Sequence, residues 1–419
     1  VILIEGRRQM KMNWYIRSMQ NIFLRRLFLV ITGSRINAGE GDKNMADYIK
    51  GVDLSAVAEV EELGAKYYDN GVQGDIFDIL KNYGVNSVRL RLWNDPYTED
   101  GVPYGAGTND LEVYKKLSKR AMDHGMSILL DYHYSDFWAD PGKQRVPKAW
   151  RGMDADQLEQ AVYDYTRETL LEMKDAGVLP QLVQVGNELT NGLMWPLGQK
   201  PEYDNIAKFV SAGIRAVRSV DSDIPVMIHL DNGGNNPMYV DWFDNYMERG
   251  ENFDIIGMSY YPFWHGTMKE LEANMRDMAD RYGKKIVIAE VSMGFTMEDY
   301  ADYEKLGPDD RKGYATKPSL VENLDYPMTP EGQAEFMNDI MKLIDDVPGG
   351  DGFYYWEAGW IPVPGSGWAT EGALSYIDES GPCGNEWANQ ALFDYDGHAL
   401  PALKTIRDYK PLHSYYPLK

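Results

Sequence analysis

Eight short runs rich in β-branched and aromatic residues recur along the chain, at 48–57, 87–93, 127–135, 182–188, 225–231, 254–262, 285–292 and 351–360. Longer amphipathic stretches separate them, most clearly at 109–124, 154–176, 205–220, 267–282 and 331–347. Runs that stay apolar on successive residues suit strands covered on both faces, as in a parallel sheet flanked by helices. The stretch at 154–176 opens on Asp154 and stops before Gly177, which is helix start and stop chemistry. Eight strand–helix units predict an α/β chain folded as a (β/α)8 TIM barrel, in preference to a doubly wound sheet. No Gly-x-Gly-x-x-Gly follows the first run, which counts against a dinucleotide-binding sheet. Without a Pro-, Ser- or Thr-rich linker or an internal repeat, one catalytic domain over 47–419 is expected.

Residues 1–46 read as a non-core segment. Arg7, Arg8, Lys11, Arg17, Arg25 and Arg26 precede an apolar run at 27–31, shorter than the roughly 7–15 residues of a secretory signal. The segment is expected to be an atypical export signal or an unreliable start, with no transmembrane span. An extracellular or cell-surface location is expected, with the cytoplasm as the alternative. The formal charge of −23, from 42 basic and 65 acidic residues, repels phosphate backbones and anionic lipid, so neither nucleic acid nor a membrane is an expected partner. A single cysteine, Cys383, permits no internal disulfide and no thiolate cluster. Eleven Trp and 29 Tyr exceed what packing alone requires and suggest flat platforms for sugar rings. A monomer is expected.

Barrel enzymes carry their chemistry on the loops after the strands. The fourth run ends in Asn187-Glu188 and the seventh in Glu290. Strands four and seven face each other across a barrel mouth, so two glutamates placed there can approach to roughly 5–5.5 Å, the spacing of a retaining glycosidase. Glu188 would then be the acid/base, Glu290 the nucleophile, and Asn187 a partner for the sugar 2-hydroxyl. After the second run come Arg89, Arg91 and Trp93, and an arginine of this pair could hold Glu290 ionised. After the third come His133, Asp136 and Trp138, and after the fifth Asp231. A tyrosine from the sixth could bond the nucleophile; alternation does not choose between Tyr260 and Tyr261, and Tyr260 stands as the candidate. Trp356, after the eighth, could floor the sugar site. There is no P-loop, no His-Glu-x-x-His and no Gly-x-Ser-x-Gly. His133, His229 and His265 at strand ends leave a metal-dependent barrel hydrolase as a weaker rival.

These residues resemble glycoside hydrolase family 53, the arabinogalactan endo-β-1,4-galactanases. The resemblance runs from Gly51-Val-Asp-Leu-Ser to Asp394-Tyr-Asp-Gly-His-Ala-Leu-Pro. Its most specific pieces are VRLRLWNDPY at 88–97, DYHYSDFWADPGKQRVPKAW at 131–150, QVGNE at 184–188 and FYYWE at 353–357. It implies a clan A barrel, Glu188 as acid/base, Glu290 as nucleophile, and internal cleavage of a neutral β-1,4-galactan. The alternatives are another clan A endo-hydrolase acting on mannan, xylan or cellulose, and a catalytically inert glycan-binding barrel. The two-carboxylate route requires no cofactor. Some bacterial members carry a calcium-binding Asp-x-Asp-x-His-x-Asn run after strand seven, whereas residues 298–311 here lack that spacing, which disfavours calcium.

Overall fold

The computed structural model describes residues 48–298, 300, 318–322 and 324–412, so the expected non-core segment 1–46 lies outside the described residues. Eight strands form the central barrel: β1 (Ile49–Asp53), β2 (Ser87–Leu92), β3 (Ser127–Tyr132), β4 (Leu182–Val185), β5 (Val226–Leu230), β6 (Ile255–Tyr260), β7 (Lys285–Val291) and β8 (Gly350–Tyr355). Each neighbour pair is parallel, and β1 pairs with both β2 and β8, which closes the sheet. Every strand coincides with one of the expected runs.

The unbroken apolar runs are explained by two layers. Ile49, Leu129, Leu182, Met227, Ile255, Val287, Ala289 and Tyr354 fill the barrel interior. The alternate residues, such as Ile128, Leu130, Val183, Val185, Val226 and Ile228, pack outward under the helices. Farther along the strands the inward positions turn polar, with Asp53 on β1 paired in register to Arg89, Arg91 to Asp131, and Asp131 to Gln184. The charged residues therefore lie toward the C-terminal strand ends, where the connecting loops open.

One irregularity decides where the seventh-strand glutamate points. Met258 pairs with Ile288 but the next residue, Ser259, pairs with Glu290; on the other side Phe353 pairs with Ile288 and Tyr355 with Val291. Strand β7 thus holds one more residue than either neighbour, which is a β-bulge. Val287 and Ala289 already face inward, so strict alternation would send Glu290 out to the helices. The bulge lets Ala289 and Glu290 both face the interior.

The expected helices form as Leu111–Asp123, Ala155–Asp175, Tyr203–Val220, Met268–Tyr282 and Pro330–Asp346. Asp154 and Gln157 make a reciprocal capping box, as do Thr267 and Glu270, so both N-termini have their orphan amides satisfied. Additional elements also form. Helix Asn236–Met247 buries Tyr239, Trp242, Phe243 and Tyr246, an i, i+3, i+4, i+7 stripe. A hairpin of Tyr67–Asp69 and Val72–Gly74 turns at Asn70-Gly71, both at positive φ. Among the described residues, no helix is long and apolar enough to cross a membrane.

Candidate active site

A cavity of ≈ 460 Å³ opens at the C-terminal ends of the strands, and Glu188, Glu290 and Asn187 line it. One carboxylate oxygen of Glu188, one of Glu290 and a ring nitrogen of His229 lie within 4.8 Å of one another. The two carboxyl groups, 102 residues apart in sequence by subtraction of their numbers, therefore converge on one point. Glu188 reaches it from a left-handed backbone, φ 47° and ψ 57°, three residues beyond the end of β4. A non-glycine residue held there is strained, and such strain persists only where the surroundings fix it.

The two glutamates have different neighbours. Arg89 places a guanidinium nitrogen 2.8 Å from Glu290 Oε1, and the Tyr261 hydroxyl donates to Oε2 at 2.7 Å. Burial pushes the Glu290 carboxyl up to about 7, with Arg89 and Tyr261 opposing that rise. Glu188 accepts a hydrogen bond from Ser259 Oγ at 2.6 Å, but the charges around it are acidic. Burial first, then Glu290 and Asp231, raise its carboxyl well above the ordinary range. When the pair shares one proton, Glu188 carries it and Glu290 stays ionised against Arg89.

Arg89 is the hub beneath the pair. Besides Glu290 it contacts Asp53 at 3.0 Å and Asp131 at 2.8 Å, and donates to Asn187 Oδ1 at 2.9 Å. Burial works against ionisation of Asp131, but Arg89 and His133 overcome it and hold that carboxyl below its ordinary value. Asn187 is fixed by this: its Oδ1 faces Arg89, and its Nδ2 donates to Ala139 O at 2.9 Å, leaving a second N–H. His133 Nδ1 accepts from Trp93 Nε1 at 3.1 Å and from Ala139 N at 3.2 Å, so its proton sits on Nε2 and points at Asp131, 3.0 Å away. The ring is thereby locked at the cavity wall.

Aromatic faces make up much of the rest. Trp356 meets Trp387 edge-on at 4.5 Å and lies 6.0 Å from Trp138, and all three line the cavity. Asp231 also lines it, accepting from the Thr190 hydroxyl, with burial and the Asp140 charge raising its carboxyl.

Four candidates stand elsewhere. Arg91 is buried behind the wall, paired with Glu357 and stacked 4.3 Å from the Trp138 ring; it supports that indole from behind and does not reach the cavity. Trp93 is fully buried, spent on orienting His133. Asp136 is also fully buried; it accepts from Lys148 N at 2.6 Å and from the Tyr376 hydroxyl at 3.1 Å, so it shapes the loop after β3. Tyr260 points out to the helix layer, donating to Gly266 O at 3.0 Å and stacking on Phe336. Alternation explains it: Ser259 faces inward, Tyr260 outward, and Tyr261, just past the strand, turns to Glu290.

The sequence reading left Tyr261 open beside Tyr260 and did not single out Ser259, Gln184 or Trp387 as site residues. The period of β6 would have given Ser259 once Tyr260 was turned outward. Gln184, an amide within an apolar strand, was a signal of buried polarity: it donates to Asp131 Oδ1 at 2.6 Å. Trp387 arrives from a late loop with no periodicity to mark it. Among the described residues, Glu188, His229 and Glu290 are the one group whose ligand atoms converge closely enough for an ion. Both His229 nitrogens are engaged in hydrogen bonds, and Arg89 holds Glu290. The acidic run weighed for calcium spans residues 298–311, and all of it but 298 and 300 lies outside the described residues.

A parallel barrel whose mouth presents two convergent glutamates, one paired with arginine and one not, among tryptophan faces defines a barrel glycoside hydrolase. The model of glycosyl hydrolase family 53 matches residues 49–406, and the chain belongs to that family. It is 38% identical over 381 residues to the endo-beta-1,4-galactanase of Bacillus subtilis (strain 168), covering 86% of each chain. It is 34% identical over 321 residues to arabinogalactan endo-beta-1,4-galactanase A of Aspergillus niger, covering 74% of this chain and 85% of that one. The solved family 53 catalytic domain from Ignisphaera aggregans is 40% identical with a TM-score of 0.79, over 89% of this chain and 98% of that one.

Proposed function

We infer that the protein is a retaining endo-β-1,4-galactanase that cuts the galactan side chains of type I arabinogalactan. The observation that carries this reading is the approach of Glu188 and Glu290 oxygens to within 4.8 Å, too close to seat a water between them as the roughly 6.5–9.5 Å gap of an inverting pair does. The galactanase names of its relatives carry the linkage and the sugar. The lining includes Asp140, Asp231, Glu379 and Glu386 against Lys143, a field that favours a neutral chain over a uronate polymer.

In the reaction, a Glu290 oxygen attacks the anomeric carbon as the bond to the leaving oxygen breaks. The electron pair departs with that oxygen, which takes the proton held by Glu188. Arg89 and Tyr261 favour the Glu290 anion that attacks, and Asn187 offers its second N–H to the 2-hydroxyl as charge develops on the ring. In the second half, Glu188 as carboxylate removes a proton from water, the water oxygen bonds the anomeric carbon, and Glu290 leaves. Two inversions return the β configuration. No cofactor enters this route. A polymeric substrate favours action at or beyond the cell surface.

Linear β-1,4-galactan, followed by proton NMR from the first seconds of hydrolysis, tests the reading. Oligosaccharides with β-configured reducing ends are expected first, with little release of monosaccharide. Initial α product would overturn retention. Cleavage of mannan, xylan or cellulose in place of galactan would move the enzyme to another clan A activity.

A further inference from the structure

Behind Glu188 runs a chain of hydrogen bonds that the cleavage chemistry above does not use. Ser259 Oγ donates to Glu188 Oε1 at 2.6 Å, and His229 Nε2 lies 2.8 Å from the same Oγ. Ser259 and His229 are both fully buried. Ser259 has one proton. Given to Glu188, it leaves the hydroxyl oxygen as an acceptor, so His229 must carry its own proton on Nε2. A neutral ring then has a bare Nδ1, and Gln184 Nε2 donates to it at 3.1 Å. The opposite tautomer would aim Nδ1–H at Asn187 Oδ1, 3.0 Å away. That oxygen already receives Arg89 at 2.9 Å, and an Nδ1–H would also leave Nε2 bare against a Ser259 oxygen whose one proton is given to Glu188. Gln184 itself cannot flip, because its Oε1 accepts from Arg89 Nε at 3.3 Å.

We propose that Ser259 and His229 are positioning residues for Glu188, holding its Oε1 as a permanent acceptor so that the acid proton resides on Oε2, facing the glycosidic oxygen. The proposal rests on the reading of Glu188 as acid/base. Burial and the nearby Arg89 charge lower the His229 imidazole well below its ordinary range, so the ring stays neutral and does not lend Glu188 a positive charge. Ser259 therefore supplies direction and a modest stabilisation of the carboxylate. The other groups bearing on Glu188 are Glu290 from β7, Asp231 from the loop after β5, Asp140 from the loop after β3 and Tyr261 beyond β6, with Tyr239 from helix Asn236–Met247. All of these are acids, and ionised they oppose its deprotonation, whereas the Ser259 donor favours the anion.

Ser259→Ala tests this with two substrates, galactan and a dinitrophenyl β-galactobioside whose leaving group needs no proton. The kcat/KM on galactan is expected to fall roughly tenfold, the effect of one lost charge-assisted hydrogen bond, while the activated substrate falls far less. The alkaline limb of the galactan profile should move up by about one pH unit, since loss of the donor raises the acid's pKa. His229→Gln, which keeps an N–H toward Ser259, should lie between wild type and Ser259→Ala on both readouts. Glu188→Ala is the control and should show the same leaving-group pattern more strongly. Equal losses on both substrates in Ser259→Ala, or an unmoved alkaline limb, would overturn the positioning role while leaving Glu188 as the acid. Absence of the pattern in Glu188→Ala would instead remove the reading beneath it.

Discussion

Leu129 and Asp131 stand two residues apart on β3 and both point into the barrel, as do Leu182 and Gln184 on β4, and Met227 and His229 on β5. The first of each pair belongs to an apolar plug, in which only volume and shape matter. The second belongs to a sealed polar layer, in which every donor must find an acceptor and Arg89 answers three carboxylates. Removal of a contact from the plug leaves a cavity. Removal from the layer leaves a buried charge, and the Glu188–Glu290 pair sits directly on that layer. The plug therefore sets stability, whereas the polar layer sets both stability and chemistry.

The largest effects should come from the pair itself. Glu290→Ala and Glu188→Ala are each expected to lower turnover on galactan by about 10³-fold or more with the fold intact; a loss under tenfold in both, by steady-state assay and circular dichroism, breaks the assignment. Next come substitutions that separate the layers. Arg89→Met should cost about 3–5 kcal/mol in urea unfolding, the consequence of stranding buried carboxylates, and should also abolish activity in the molecules that remain folded. Leu129→Ala should cost a similar amount, about 2–5 kcal/mol, yet the folded fraction should keep its kcat. Equal kcat losses would erase the distinction.

A third substitution tests the cost of the site in pH. The folded state raises the Glu188 carboxyl above its unfolded value, so between those two values the folded state binds the extra proton. Stability from this group is full below the unfolded pKa near 4.5 and falls as pH rises toward the folded value. Glu188→Gln carries no such charge, so its melting temperature should exceed wild type at pH 8 and the gap should close by pH 4. A gap of the opposite sign would mean that Glu188 is stabilised as an anion. The smallest effects distinguish two adjacent tyrosines. Tyr261→Phe removes a donor from Glu290, so its pKa rises and the acid limb of the rate profile moves to higher pH, with a roughly tenfold loss at neutral pH. Tyr260→Phe should cost about 1 kcal/mol of stability and leave the profile in place.

The sequence disclosed the barrel because each strand is buried on both faces, which writes a continuous apolar run rather than an ambiguous alternation. It disclosed Glu188, Glu290 and Asn187 for the same reason: a charge or amide closing such a run is costly unless it is paired or put to use. Helix Asn236–Met247 was readable too, since Tyr239, Trp242, Phe243 and Tyr246 repeat at helical spacing, and so was the Asn70-Gly71 hairpin. The exchange of Tyr260 for Tyr261 was not, because it depends on where β6 stops. The inward turn of Glu290 depends on a bulge that period-two reasoning forbids. Arg91, Trp93 and Asp136 were misplaced by one shell. A charged or aromatic residue at a strand end reads the same whether it meets the sugar or holds the residue that does, and only the partners (Glu357, His133, Lys148) separate the cases.

The division of labour between the glutamates is tested most directly by Glu290→Ala with an activated β-galactobioside in the presence of azide. With the nucleophile gone, azide can occupy the vacated face and attack the anomeric carbon in a single inversion. The account predicts restored turnover and an α-configured galactobiosyl azide, identified by NMR. A β-configured azide, or rescue seen in Glu188→Ala with an α product, would contradict it by reversing the two roles.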